Sequence, residues 1–142
     1  MTYSIPKDYN EFTGIRHCNR SDNSGEDFYH KALNGVFAKV IENNDELYLH
    51  MDGAKGGYSP SFIDEAIGNL IYDFGLELVK EKLHLVSSQI EQWNYFLGNN
   101  TYKNWLERLQ KNQEPVKTEE HPAWFRYRDG KLVQQVWVHK QN

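Results

Sequence analysis

The residues best spaced for chemistry lie in one run, Gly57-Tyr58-Ser59-Pro60-Ser61, preceded by Asp52-Gly53-Ala54-Lys55-Gly56 and followed by Asp64 and Glu65. Three kinds of chemistry draw on such residues. A serine on a sharp strand-to-helix turn can act as an acyl-transfer nucleophile, but that elbow needs G-x-S-x-G and a backbone N–H just after the nucleophile. Here the last position is Ser61, and Pro60 has no N–H to give. A phosphate-cradling loop needs G-x-x-x-x-G-K-[ST], whereas Lys55 precedes its glycine pair. The third use is phosphoryl acceptance. A helix start tolerates an added phosphate, because its free N–H groups and dipole favour negative charge. Ser59 and Ser61 are therefore candidate phosphoacceptors. The plain alternative is that Ser59 caps a helix while the glycines turn the chain.

Other polar residues point to less. First-turn acids such as Asp64 and Glu65 complement the helix dipole, and neighbours on a helix point apart, so they make a poor acid–base pair. The histidines at 17, 30, 50, 84, 121 and 139 show no metal-ligand spacing, and no C-x-x-C accompanies them. His17 beside Cys18 is expected to be an ordinary reduced pair. Arg16 would pair with Asp52 or hold an anion. An enzyme built on Asp52, Ser59 and Glu65 lacks a general base beside its nucleophile. No catalytic residue, metal ligand or cofactor is expected.

The elements that must position this run can be read from periodicity. Leu47, Leu49 and Met51 alternate with polar partners, predicting a strand that ends at the loop. Phe62, Ile63, Ala66, Ile67, Leu70, Ile71 and Phe74 form one apolar stripe at helical spacing, with Ser59 as N-cap, Pro60 in the first turn and Gly75 as the stop. Upstream, Ser24 caps a helix carrying Phe28, Ala32, Leu33, Val36, Phe37 and Val40, with Asp27 reaching back to the cap. A strand is expected around Glu11–His17 and another within Lys82–Ser88. One or two helices then carry Trp93, Phe96, Leu97, Trp105, Leu106 and Leu109. A loop at the carboxyl end of a strand, feeding a helix, is where open α/β sheets place ligands and switches. The alternation predicts an α/β fold with a small mixed or mostly parallel sheet and helices.

Asn112–Pro122 holds two prolines and three glutamates and reads as a linker. It divides the chain into a body at 1–111, a connector at 112–122 and a C-terminal β-hairpin extension at 123–142. In that extension Ala123–Arg128 and Lys131–His139 flank Asp129-Gly130, a strong two-residue turn signal. Pairing across it puts Phe125 and Tyr127 on one face with Leu132 and Val136. Trp124, Arg126 and Arg128 fall on the other with Lys131, Val133 and Trp137. A lone hairpin is marginal in water, so this one should dock on the body, on a second copy as a homodimer, or on a partner.

Composition narrows the function classes. The 142 residues carry a net charge of −4, mean hydropathy is −0.80, and aromatics make up 14%. Residues 1–75 hold six Lys/Arg against twelve Asp/Glu, and residues 76–142 hold ten against eight. Such an acidic front half argues against a general nucleic-acid surface, and the exception is the tail with Arg126, Arg128, Lys131 and Lys140. There Trp124, Phe125, Tyr127 and Trp137 could stack on bases while the cations meet phosphates, a single-stranded nucleic-acid module. No apolar run nears the ~20 residues that span a bilayer, and the N-terminus lacks a secretory pattern. One cysteine suits a reducing compartment. A cytoplasmic protein with no membrane role is expected.

Four motifs then occur in order: Gly14-Ile15-Arg16, Ser24-Gly25-Glu26-Asp27-Phe28, Leu47–Asp52 followed by Gly53, and Gly57-Tyr58-Ser59-Pro60-Ser61-Phe62-Ile63-Asp64-Glu65-Ala66-Ile67-Gly68. Together they resemble the bacterial STAS-like domain family of unknown function over about residues 10–90. Pro60 stands where a small residue is common in that family, and Ile67 where Phe is common. The resemblance implies a small α/β domain similar to anti-sigma-factor antagonists. In those relatives a serine or threonine at this junction is phosphorylated by an ATPase of the histidine-kinase-like fold, which places the acceptor at Ser59 or Ser61. It also implies a non-catalytic regulatory or protein-interaction domain whose surface comprises Asp52, Gly53, Gly57, Tyr58, Asp64 and Glu65. An accessory role in mobile-element or defence loci is the alternative it suggests.

Overall fold

The computed structural model describes residues 1–138. His139 and Lys140, assigned above to the hairpin strand and the basic tail, lie outside the described residues.

Three short parallel strands form the sheet, in the order β1 (Thr2–Ser4), β2 (Leu47–His50), β3 (Leu83–Val86). β2 is central, with Thr2 opposite Tyr48 on one side and Leu47 opposite Leu83 on the other. Leu47, Leu49 and Met51 are buried as the alternation requires, while Tyr48 faces out and stacks on His84. The sheet therefore has one covered face and one open face, unusual for parallel strands, which are ordinarily covered on both. The N-terminal strand is Thr2–Ser4, not Glu11–His17. Residues 11–17 are irregular because their backbone meets the start of the next helix: the N–H groups of Gly25 and Glu26 donate to the carbonyls of Ile15 (2.9 Å) and Arg16 (3.0 Å). Those are first-turn donors with no partner inside the helix. Gly14 permits the tight return, since a Cβ there would stand 2.2 Å from the Asp22 carbonyl oxygen.

α1 (Gly25–Phe28) runs through a π-helical turn (Tyr29–Leu33) into α2 (Asn34–Glu42). Ser24 Oγ caps it, accepting from Asp27 N–H at 3.1 Å. The Asp27 carboxylate does not reach back as expected; it takes the Tyr9 hydroxyl and an ion pair with Lys31 instead. Gly25 lies so close to α3 that a Cβ would meet the Phe62 carbonyl oxygen at 2.5 Å.

α3 (Pro60–Phe74) is the central element, with twelve of its fifteen residues buried, so it is enclosed on several sides and not merely apolar on one. It ends at Gly75, whose φ of 89° an L side chain resists. α4 (Leu76–Lys82) leads into β3. α5 (Ile90–Phe96), a π-helical turn (Leu97–Thr101) and α6 (Tyr102–Gln110) then form one continuous helical run, from which Leu97, Thr101 and Trp105 are buried.

β4 (Trp124–Arg128) and β5 (Lys131–Gln135) form the hairpin, paired from Arg128–Lys131 to Trp124–Gln135. Asp129 and Gly130 both take positive φ, 54° and 76°, as a type I′ turn demands. β5 ends at Gln135, so Val136 and Trp137 follow the strand rather than belong to it. The hairpin docks on the body through β4, against α2 and α3. The stretch 112–122 has no helix or strand, as its prolines suggest, yet it is bonded to the body by several side chains.

Candidate functional site

The loop between β2 and α3 is built around three glycines with left-handed φ, Gly53, Gly56 and Gly57. Asp52 leaves the strand and its carboxylate accepts from Ser88 N–H at 2.9 Å, and from the hydroxyls of Ser88 at 3.1 Å and Ser87 at 3.4 Å. It thereby ties the end of β2 to the end of β3. Tyr58 O–H donates to the Met51 carbonyl at 2.5 Å, and its ring lies against Phe62 and Trp93. Burial, reinforced by the Asp52 charge, pushes that phenol above its ordinary range. Ser59 caps α3 by accepting from Ser61 N–H at 3.2 Å, and the two hydroxyls stand 2.7 Å apart. Both serines are half-buried, while Asp52, Gly53, Lys55, Gly56 and Gly57 are exposed. A cleft of about 180 Å³ separates this loop from Ser87–Gln89.

Asp64 and Glu65 are placed together, but inward. One nitrogen of Arg16, Nη1, donates to Asp64 at 2.7 Å and to Glu65 at 3.2 Å. Arg16 therefore pairs with these two carboxylates and not with Asp52. Asp64 also accepts from Thr101 Oγ1 (2.8 Å) and Trp105 Nε1 (3.2 Å). Glu65 is 2% exposed, and burial raises its pKa against the pull of His17, Asn69 and Arg16. It cannot meet a partner from that position. A cleft of about 410 Å³ opens beside this cluster, bounded by Arg16, His17, Trp105 and Arg108. With two carboxylates on its guanidinium, Arg16 is neutralised and offers little to an anion.

Glu65 belongs to a larger feature. Glu65, Asn69 and Asp73 follow at intervals of four along α3 and so share a face. All three are buried. Glu65 meets Arg16, Asn69 accepts from Lys117 Nζ at 3.3 Å, and Asp73 accepts from Arg126 Nε at 2.8 Å and from Tyr29 O–H at 2.6 Å. A polar seam inside the core helix thus receives cations from the loop before α1, from the stretch 112–122 and from the hairpin. The spacing Glu65-x-x-x-Asn69-x-x-x-Asp73 was the signal available in the sequence; it was hidden by the stronger apolar stripe on the same helix.

The hairpin residues considered for nucleic acid are spent on this docking. Trp124 is buried, edge-on to His30, with Lys117 Nζ 4.8 Å from its ring centre. Arg126 spans Asp73 and both oxygens of Glu114, at 2.9 Å each. Arg128 donates to the carbonyls of Tyr72 (2.7 Å) and Asp73 (2.8 Å), satisfying acceptors at the end of α3. Lys131 alone of the four is exposed. Stacking rings and free guanidinium groups, which the nucleic-acid reading needs, are not what Trp124, Arg126 and Arg128 present.

A second cluster centres on Glu26, which is 1% exposed. Its carboxylate accepts from Cys18 N–H (3.2 Å), Thr118 N–H (3.0 Å) and Thr118 Oγ1 (2.7 Å), and bonds His17 Nδ1 (3.1 Å) and His121 Nε2 (2.6 Å). Burial alone would raise its pKa, but His121 and Thr118 outweigh burial and hold it well below the carboxylate range. His121 stacks on His30 with ring centres 3.9 Å apart. Burial pushes His30 down to about 2, so that ring is neutral. Cys18, Glu119 and His121 each bring one ligand-type atom within 4.8 Å of the others. Linear spacing gave no hint of a metal-ligand set, because Cys18 lies in the loop before α1 and the other two lie in the stretch after α6. Burial pushes the Cys18 thiol up to about 12, so it is a protonated, unreactive thiol in the absence of a metal.

No helix among the described residues is long and apolar enough to cross a membrane. No curated protein and no solved structure matches the chain at a significant level. The model of a family described as a STAS-like domain of unknown function matches residues 24–92, from the Ser24 cap through β2, the loop, α3 and β3 into α5. Gly14, Arg16 and the hairpin lie outside that match, so the chain is similar to that family over just under half of its length.

Proposed function

We propose that this chain is a non-catalytic regulatory domain that binds a protein partner through the exposed face of the β2–α3 junction, switched by phosphorylation of Ser59 or Ser61. The observation that carries the reading is the pair of hydroxyls 2.7 Å apart at the start of α3, beside an exposed glycine loop. Asp52, Gly53, Gly57 and Tyr58 frame that surface. Asp64 and Glu65 support it from beneath rather than face the partner. The kinase in this reading is an ATPase of the histidine-kinase-like fold, by similarity to anti-sigma-factor antagonists.

The physics of the switch is local. A phosphate on either serine meets the N–H groups of the first turn of α3, which favours it by about 0.3–1 kcal/mol at an exposed site. It also adds nearly two negative charges to this surface, enough to repel an acidic partner. Intact-mass measurement after incubation with ATP and such an ATPase tests the reading. A single phosphate, lost in Ser59→Ala, in Ser61→Ala or in the double variant, supports it. No mass shift, together with unchanged partner binding by Ser59→Asp and Ser61→Asp, overturns it.

A further inference from the structure

We propose that Cys18, Glu119 and His121 form a binding site for a borderline-soft divalent cation, with zinc the best match to a sulfur, an oxygen and a nitrogen donor. The two chain segments that supply these ligands are already joined. Glu26 accepts from Cys18 N–H on one side and from Thr118 N–H and Oγ1 on the other, and Asn19 N–H donates to Thr118 Oγ1 at 3.2 Å. The ligands are therefore held near one another before any ion arrives.

His121 is oriented as a metal-bound imidazole ordinarily is. Its Nε2 is engaged by the Glu26 carboxylate at 2.6 Å, which leaves Nδ1 as the coordinating atom. A carboxylate behind a ligating histidine fixes ring orientation and raises ligand basicity. His30, stacked at 3.9 Å, sets the plane of the ring from one face. The sulfur of Cys18 also lies 3.3 Å from Ser24 Oγ, so its direction is set from the helix cap.

The geometry needs only a small contraction. Metal–sulfur and metal–nitrogen distances of about 2.3 and 2.0 Å in a tetrahedron put neighbouring ligand atoms roughly 3.3–3.8 Å apart. The ligand atoms lie within 4.8 Å of one another here, and Glu119 is exposed and free to close the difference by rotamer change. Cys18 and Glu119 also line a cleft of about 380 Å³ with Asp22 and Asp27, an entry path bearing negative charge offset only by Lys31. On binding, the thiol proton passes to solvent, the thiolate, imidazole and carboxylate donate one lone pair each, and water completes the fourth position. The bound ion fastens the loop before α1 to the stretch that leads into the hairpin. The site touches neither Ser59 nor Ser61, so it is independent of the proposed phosphorylation.

Cobalt(II) titration of the full chain tests the site, since Cys18 is the only cysteine and any thiolate-to-cobalt charge-transfer absorption must come from it. The expected result is one cobalt per chain with that absorption and tetrahedral d–d bands, displaced by zinc and abolished in Cys18→Ser. Glu119→Gln, a change at an exposed side chain that leaves the fold intact by circular dichroism, is expected to weaken cobalt binding at least as much as loss of an outer-shell partner, about 10- to 100-fold. Absence of the charge-transfer band in the folded wild type overturns the proposal. So does a band whose titration midpoint is unchanged in Glu119→Gln.

Discussion

The indole of Trp105 lies directly on the backbone of Gly68: a Cβ at residue 68 would stand 2.0 Å from Cε2 and 2.2 Å from Nε1 of that ring. The same Nε1 donates to Asp64, one turn earlier on α3, so the ring cannot slide away without breaking a hydrogen bond. Gly68 is how α6 approaches α3.

Gly68→Ala is therefore expected to destabilise the protein, although alanine is the better helix former. The propensity gain is about 1 kcal/mol, while overpacking a closed contact costs typically about 1–3 kcal/mol, and a broken bond to Asp64 adds about 1 kcal/mol. Gly98→Ala is the control, because nothing lies within 4 Å of its added Cβ. Chemical denaturation should show Gly68→Ala less stable than wild type and Gly98→Ala equal or more stable. Equal stability of both variants would contradict the close approach.

Asn34 is expected to be the residue that holds the hairpin to the body. Its side chain takes Phe125 on both sides, accepting from the N–H at 2.8 Å and donating to the carbonyl at 2.9 Å, and it also donates to Tyr29 O–H at 2.9 Å. Asn34→Ala leaves buried groups without partners, which costs about 1–3 kcal/mol. Hydrogen exchange should show faster exchange at Phe125 and across β4, with β2 and α3 little changed.

Ser59 and Ser61 should differ in what they contribute to stability, whatever their role in signalling. Ser59 Oγ caps α3, so Ser59→Ala is expected to cost about 1 kcal/mol. The Ser61 hydroxyl bonds only its neighbour's hydroxyl among the described contacts, and Ser61→Ala should cost less. Thermal melts of the two variants, run side by side, check the order.

A pH dependence follows from Glu114. Hydrogen bonding to the Arg126 guanidinium holds this carboxyl below its ordinary value of 4.5. A carboxyl with a depressed folded pKa binds fewer protons in the fold than in the unfolded chain. Its stabilisation is thus present above pH 4.5 and is lost as pH falls through the folded value. Glu114 is mostly exposed, so the effect is screened and small. The difference in melting temperature between wild type and Glu114→Gln should shrink as pH is lowered below the ordinary carboxylate range.

The residues that repeat locally were readable, and those that act at a distance were not. α3 was legible because Phe62 to Phe74 satisfy one period between a serine cap and a glycine stop, and the hairpin because Asp129-Gly130 suits only one turn. β1 was not, since three residues with a single ring, Tyr3, carry no period; its pairing with β2 makes it a strand. The stretch 11–17 has strand-like composition but is drawn off by the first turn of α1. The site divided in the same way. The loop and its two serines stood out from residue types alone, whereas the partners of Asp64, Glu65 and Glu26 come from segments with no local mark. Arg16 reaches Asp64 across 48 positions, and His121 reaches Glu26 across 95.

That distance along the chain bears on folding. Glu26, Asn34 and Asp73 precede Thr118, His121, Phe125 and Arg126 by 53 to 95 positions in their pairs. Without the later segment Glu26 keeps only His17 and Cys18 N–H, Asp73 keeps only Tyr29 O–H, and Asn34 keeps only its bond to the Tyr29 hydroxyl. Completing these pairs closes chain loops of 53 to 95 residues, the slow, non-local kind of contact, so the seam bears on the rate of folding more than on its end point.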